Sequence, residues 1–223
     1  MNVPDRPREL KFTLLADGST DVALVPVLSW LLQTRMPDAT IASQFAETTR
    51  ARKPPRGLAA KIRWTFDNYP CDVLFVHRDA ERQPAEDRRR EIREAVERQE
   101  CQTPVVCVVP VRMTEAWLLF DESAIRKASG NPNGRVALNL PRLTEVEGLP
   151  DPKRILNAAL VQATELSARR GQRFPTSESS RRVIRHIDDF SPLRSLTAFR
   201  GLELEVAALM TRLPDRASGP ESR

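Results

Sequence analysis

The first 120 or so residues alternate short apolar runs with stretches of helical spacing, and no other feature restricts the fold as much. Residues 10–16, LKFTLLA, read as a strand entering the turn DGST, and DVALVPVLSWLLQTRM then has the apolar spacing and length of a helix. Pro26 falls early in that helix and predicts an irregular start. Residues 40–47, TIASQFAE, are a second strand candidate, followed by the basic loop TTRARKPPRG and a second helix in LAAKIRWTFDNY. CDVLFVHRD supplies a third strand. PAEDRRREIREAVERQE is a charge-laced helix with few apolar anchors, suited to the outside of a sheet. TPVVCVVPV, rich in β-branched residues, reads as a fourth strand. Such alternation implies an α/β fold whose mostly parallel sheet is covered by helices on both faces.

Beyond residue 121 the texture changes. SGNPNGRVALNLPRLTEVEGLPDPK is rich in turn formers, tightest at residues 130–134, and DPKRILNAALVQATELSARR opens with Asp151 as a cap and Pro152 at the first helical position. Further helices are predicted at about 177–189 and 192–211. The expected organisation is an α/β domain over 8–121, a helical extension over 122–213 packed on it, and a flexible tail over 214–223. With 40% hydrophobic and 29% charged residues, the composition is that of a soluble globular protein. No apolar run approaches the roughly 18–20 residues of a bilayer span. The start MNVPDRPREL lacks the apolar core of a signal peptide, so the expected location is the cytoplasm, with no membrane contact.

Cys71, Cys101 and Cys107 are odd in number and form no CxxC, which argues against a disulfide framework and a zinc site. His77 and His186 lie far apart, so a His-rich metal site is not expected either. A metal here would be held by oxygen. The net charge of +5 permits binding to phosphate polymers without demanding it, and an arginine-rich genome would give the same bias.

In open α/β sheets, ligands bind outside the carboxyl ends of the strands. Here those ends carry Asp17, then Asp79 and Glu81, then Glu115 shortly after the fourth run. Carboxylates gathered in one place repel unless a cation sits among them, and magnesium or manganese suits such oxygen donors. The spacing of Asp79 and Glu81 predicts both side chains on one side of an extended segment. Gly18 permits a sharp turn or close approach beside Asp17, and Thr20 or Ser19 is a candidate cap for the following helix. Asp21 is either a favourable first-turn charge or a further ligand, and Glu115 carries the same two readings. Arg78 either binds phosphate or screens the neighbouring acids. There is no GxxxxGK[ST], GxGxxG or GxSxG motif, GNPNG reads as a turn, and Asp188 with Asp189 ends a helix.

The strings LLADGSTD, VLFVHRDAE and VPVRMTEAWLL together resemble the small stand-alone branch of the Toprim superfamily, the fold shared by topoisomerases, primases and overcoming-lysogenization-defect nucleases. The resemblance covers about the first 120 residues and implies a Rossmann-like domain with Asp17 in place of a first glutamate. It implies Asp79 and Glu81 in place of paired aspartates, and Glu115 in a branch-specific position. Aspartate at 17 and glutamate at 81 depart from the pattern. The expectation that follows is a Mg2+- or Mn2+-dependent nuclease on DNA or RNA, with Asp79 and Glu81 holding the metal, Asp17 a further ligand or the acid/base group, and Asp21 and Glu115 assisting. Arg50, Arg52, Lys53, Arg56 and Arg78 would guide the nucleic acid. The resemblance also implies an ATPase partner in bacterial anti-phage defence and is compatible with self-association. Two other readings use the same residues: a non-catalytic binding subunit and a phosphatase for small substrates.

Overall fold

The computed structural model describes residues 8–211, so the tail expected at 214–223 lies outside the described residues. Among them, four strands form an all-parallel sheet in the order β2-β1-β3-β4: β1 Glu9–Leu15, β2 Thr40–Phe45, β3 Val73–His77 and β4 Val105–Val108. The helices are α1 Val25–Arg35, α2 Leu58–Asn68, α3 Ala85–Glu97, α4 Glu122–Ala128, α5 Pro152–Ala163, α6 Ala168–Gly171, α7 Thr176–Val183 and α8 Thr197–Met210. The predicted α/β alternation is therefore present.

Local chemistry explains where elements start and stop. The helix expected from residue 21 is a 3-10 turn over Ser19–Leu24 that becomes α-helical at Val25, with Pro26 in the first turn, where its missing N–H costs nothing. Asp151 accepts a hydrogen bond from Arg154 N at 2.9 Å, with Pro152 following it, so α5 begins as the sequence predicts. Asp121 caps α4 in the same way through Ala124 N at 2.8 Å. The helix predicted over 177–189 ends at Val183 and tightens into a 3-10 turn through His186.

Strand alternation sorts the core into two layers. Phe12 and Leu14 of β1, Val73 and Phe75 of β3, and Val108 of β4 face α1 and the helices after residue 121. Leu74, Val76 and Cys107 face α2 and α3 through Ile62, Ile92 and Ala95. Connections on opposite faces make the strand order reverse between β1 and β3, the switch point at which α/β sheets open a crevice. Sheet and C-terminal helices share one apolar cluster: Trp117 meets Phe199 of α8 edge to face with ring centroids 5.4 Å apart, and Trp30 of α1 meets Phe190 at 5.9 Å. α8 also covers the edge of β4, where Glu205 accepts a hydrogen bond from Cys107 N at 3.1 Å. No helix among the described residues is long and apolar enough to cross a membrane.

Phe199 is fully buried between α8 and the sheet. Phe199→Ala is expected to lower stability by about 3–5 kcal/mol in equilibrium urea unfolding. A loss under about 1 kcal/mol would mean that α8 packs only loosely on the sheet.

Candidate active site

The loops after β1, β3 and β4 meet over the switch point. In the first, Asp21 turns back so that its carboxylate accepts the Gly18 N–H at 3.0 Å, opening the 3-10 turn. A Cβ on Gly18 would lie 3.2 Å from that same oxygen, so glycine serves the close approach of Asp21. Thr20 donates to Asp21 at 3.3 Å, which corrects the expectation that it caps the helix: Gly18 occupies the cap position and Asp21 supplies the acceptor.

β3 ends in His77, which is buried. Its Nδ1 donates to Val108 O at 3.0 Å, leaving Nε2 to face Asp79 at 3.5 Å and Asp21 at 3.8 Å. Burial holds the imidazole pKa below its ordinary value, so His77 stays neutral and presents a lone pair to two carboxylates. A proton between them resolves that contact. Asp79 is its natural carrier, because burial, then the charges of Asp21 and Glu115, push its carboxyl up to about 7. Asp79 also accepts the Thr114 N–H at 3.1 Å, fixing the turn Thr114–Leu118 that follows β4. That turn is 3-10, and its first-turn acid is Glu115, 3.7 Å from Lys153.

The structure thus gathers Asp21, Asp79 and Glu115 and places the other two predicted acids on cations. Asp17 is bonded by Arg78 Nε at 2.6 Å and Lys61 Nζ at 2.8 Å, and Arg78 goes on to Glu91 at 2.9 Å, so Arg78 screens acids here. Glu81 corrects the expectation of two acids aligned on an extended segment. Its φ of 54° ends the extension, its N–H bonds Arg112 O at 2.9 Å, and its carboxylate, 70% exposed, turns to Arg88 at 3.5 Å. Of the predicted nucleic-acid contacts, Arg50 pairs with Glu47. Arg52 and Lys53 line a groove with Trp64, and Arg56 lines another with Glu91, Glu94 and Arg98. All four follow β2, while the acids gather over β1, β3 and β4.

A cavity of about 140 Å3 opens beside the acids. Asp21, Thr114 and Glu115 line it, together with Lys153, Ser177 and Arg181 from α5 and α7. Lys153 and Arg181 carry no motif and sit far along the chain, so sequence spacing held no signal for them. The Thr114 hydroxyl, in a residue only 8% exposed, has no hydrogen-bond partner among the described residues. Among the described residues, no three His, Cys, Asp or Glu side chains already form a metal-holding group. Magnesium needs only one or two carboxylates, because it keeps several waters. An unpartnered buried hydroxyl beside hard carboxylate oxygens is a donor set that fits such an ion. Comparison of the chain with protein-family models, with curated proteins and with solved structures finds no match.

The raised Asp79 pKa sets a pH dependence. A carboxyl whose folded pKa of about 7 exceeds its unfolded value of 3.8 contributes stability that is complete below the unfolded value and lost as pH rises through about 7. Without divalent ions, Asp79→Asn is expected to raise the melting temperature near pH 8, by about 1–2 kcal/mol of stability once solvent screening is discounted, and by less near pH 5. Equal losses at both pH values would show that the bond to Thr114, and not charge repulsion, governs this position.

Proposed function

We propose that this protein is a metal-dependent hydrolase of nucleic-acid phosphodiesters. The observation that carries the reading is the mixed charge of the cavity: Asp21 and Glu115 line it, with Asp79 at the Thr114 turn, and so do Arg181 and Lys153, the latter 3.7 Å from Glu115. Anionic walls alone suit a cation, and cationic walls alone suit a phosphate. Both together suit a phosphate held beside a metal.

In this reading Asp21, Asp79, Glu115 and the Thr114 hydroxyl hold Mg2+ or Mn2+. The ion supplies polarisation of the phosphate and stabilises charge on the leaving oxygen. Lys153 and Arg181 bind the non-bridging phosphate oxygens, Arg181 through its planar donor fork and Lys153 as a point charge. Neutral His77, anchored on Val108, keeps Asp79 and Asp21 in their orientations. Asp17 and Glu81, which the Toprim resemblance adds to the ligand set, enter it by leaving Lys61, Arg78 and Arg88. That exchange trades pairs with three partly buried cations for bonds to the ion. The resemblance alone adds an ATPase partner and a role in anti-phage defence.

The test is cleavage of labelled single- and double-stranded DNA and RNA with Mg2+ or Mn2+. Wild type is expected to cut, Asp79→Asn and Glu115→Gln to abolish cutting, and Lys153→Ala to slow it by about 10²-fold. Release of phosphate from small monoesters with no cutting of polymer would replace this reading with the phosphatase one. Calorimetric metal binding with no hydrolysis of either would leave a binding subunit.

A further inference from the structure

We infer that the groove beside Trp64 is a binding site for single-stranded nucleic acid, in which the indole ring stacks on an unpaired base. The inference rests on the nucleic-acid substrate of the reading above and narrows it to strands with exposed bases.

The three tryptophans have different employment. Trp117 lies inside the larger apolar cluster and Trp30 packs against it, whereas Trp64 belongs to neither cluster. α2 turns Ile62 and Thr65 inward and leaves Trp64 half-buried at the surface. Its ring leans on Tyr69 with centroids 5.6 Å apart, and Asn68 Nδ2 is bonded to the Trp64 carbonyl at 2.8 Å, so the platform is braced from the end of its own helix. The Tyr69 hydroxyl in turn accepts the Glu47 N–H at 3.4 Å, which ties the basic loop after β2 to this end of α2.

The groove between them measures about 650 Å3 and is lined by Ala51, Arg52, Lys53, Trp64 and Asn68. No acid lines it. The nearest acids in sequence are already matched, Glu47 by Arg50 and Asp67 by Arg63 at 3.4 Å. Arg52 and Lys53 have no ion-pair partner among the described residues, so their charge is available to a polyanion. Cations that follow a phosphate backbone beside an aromatic face are the elements of single-strand recognition, since every base has a face to stack. A duplex keeps its bases stacked on one another and meets only the cations.

Binding is to be measured by fluorescence anisotropy with labelled oligothymidylate, the same strand in a duplex, and heparin as competitor. A chelator is present, so cleavage plays no part. Wild type is expected to prefer the single strand. Trp64→Leu is expected to weaken single-strand binding by about 5- to 100-fold with duplex binding nearly unchanged, and Trp64→Phe to restore most of it. The Arg52→Ser, Lys53→Ser double variant is expected to weaken both and to flatten the salt dependence. Thermal melting confirms that each variant is folded. Single-strand binding unaffected by Trp64→Leu, or equal affinity for single strand and duplex with complete displacement by heparin, overturns the inference and leaves a plain cationic surface. Because the readout is binding, loss of stacking with cleavage intact sinks this inference alone, and stacking without cleavage sinks only the hydrolase reading.

Discussion

Burial of β3 on both faces is the constraint on which the site depends. Every residue from Val73 to His77 is buried, and the strand lies between β1 and β4 at the centre of the switch. Fully burying a large apolar side chain contributes about 1.5–3 kcal/mol, so Val73, Leu74, Phe75 and Val76 together outweigh the few kcal/mol lost by crowding one carboxylate among others. A strand held this firmly places His77 and Asp79 without help from a ligand. The bond from His77 to Val108 then carries the same rigidity across to the loop after β4.

Charge around the sheet's carboxyl edge is organised in two ways. One set alternates in sign, running from Lys61 to Asp17, Arg78, Glu91, Arg88 and Glu81, each group bonded to the next at 3.5 Å or less. Its acids are the more exposed members, its three cations are partly buried, and every charge has an opposite neighbour. The other set, Asp21 and Asp79 beside neutral His77 with Glu115 acting on Asp79, is partly buried, with Lys153 3.7 Å from Glu115. Burial pushes the Asp79 carboxyl up, with the charges of Asp21 and Glu115 adding to it, and burial holds the His77 imidazole down.

What could be read from the sequence follows from how local the cause is. The strands and helices before residue 121 were legible because period-2 and 3.6-residue patterns are written into neighbouring residues, and Asp151 with Pro152 marked a start by local chemistry alone. Carboxylates at strand ends were legible because a parallel sheet puts all its carboxyl ends on one side. The side-chain direction of Glu81 was not, since it turns on a left-handed backbone fixed by a bond to Arg112, thirty-one residues away. Neither was the neutralisation of Asp17 by Lys61, nor the arrival of Lys153 and Arg181. Those depend on which helix packs where, and no spacing encodes it. That the spatial neighbours of His77 are Asp21 and Asp79, and not His186, depends on the fold and not on spacing.

The helices after residue 121 bear on the site through packing as well as through Lys153 and Arg181. The short turn Thr114–Leu118 has two sides: Thr114 and Glu115 line the cavity, while Ala116, Trp117 and Leu118 enter the core. A 3-10 turn is tight, so its two sides cannot rotate independently. Trp117 is seated edge-on against Phe199 of α8, and the Thr114 N–H is held by Asp79 from β3's side. Glu115 is therefore positioned between two anchors, one in the sheet and one in the C-terminal helix. A chain that kept the sheet but lost α8 would retain all the acids and lose the packing that aims Glu115, and this makes the C-terminal helices part of the site's construction.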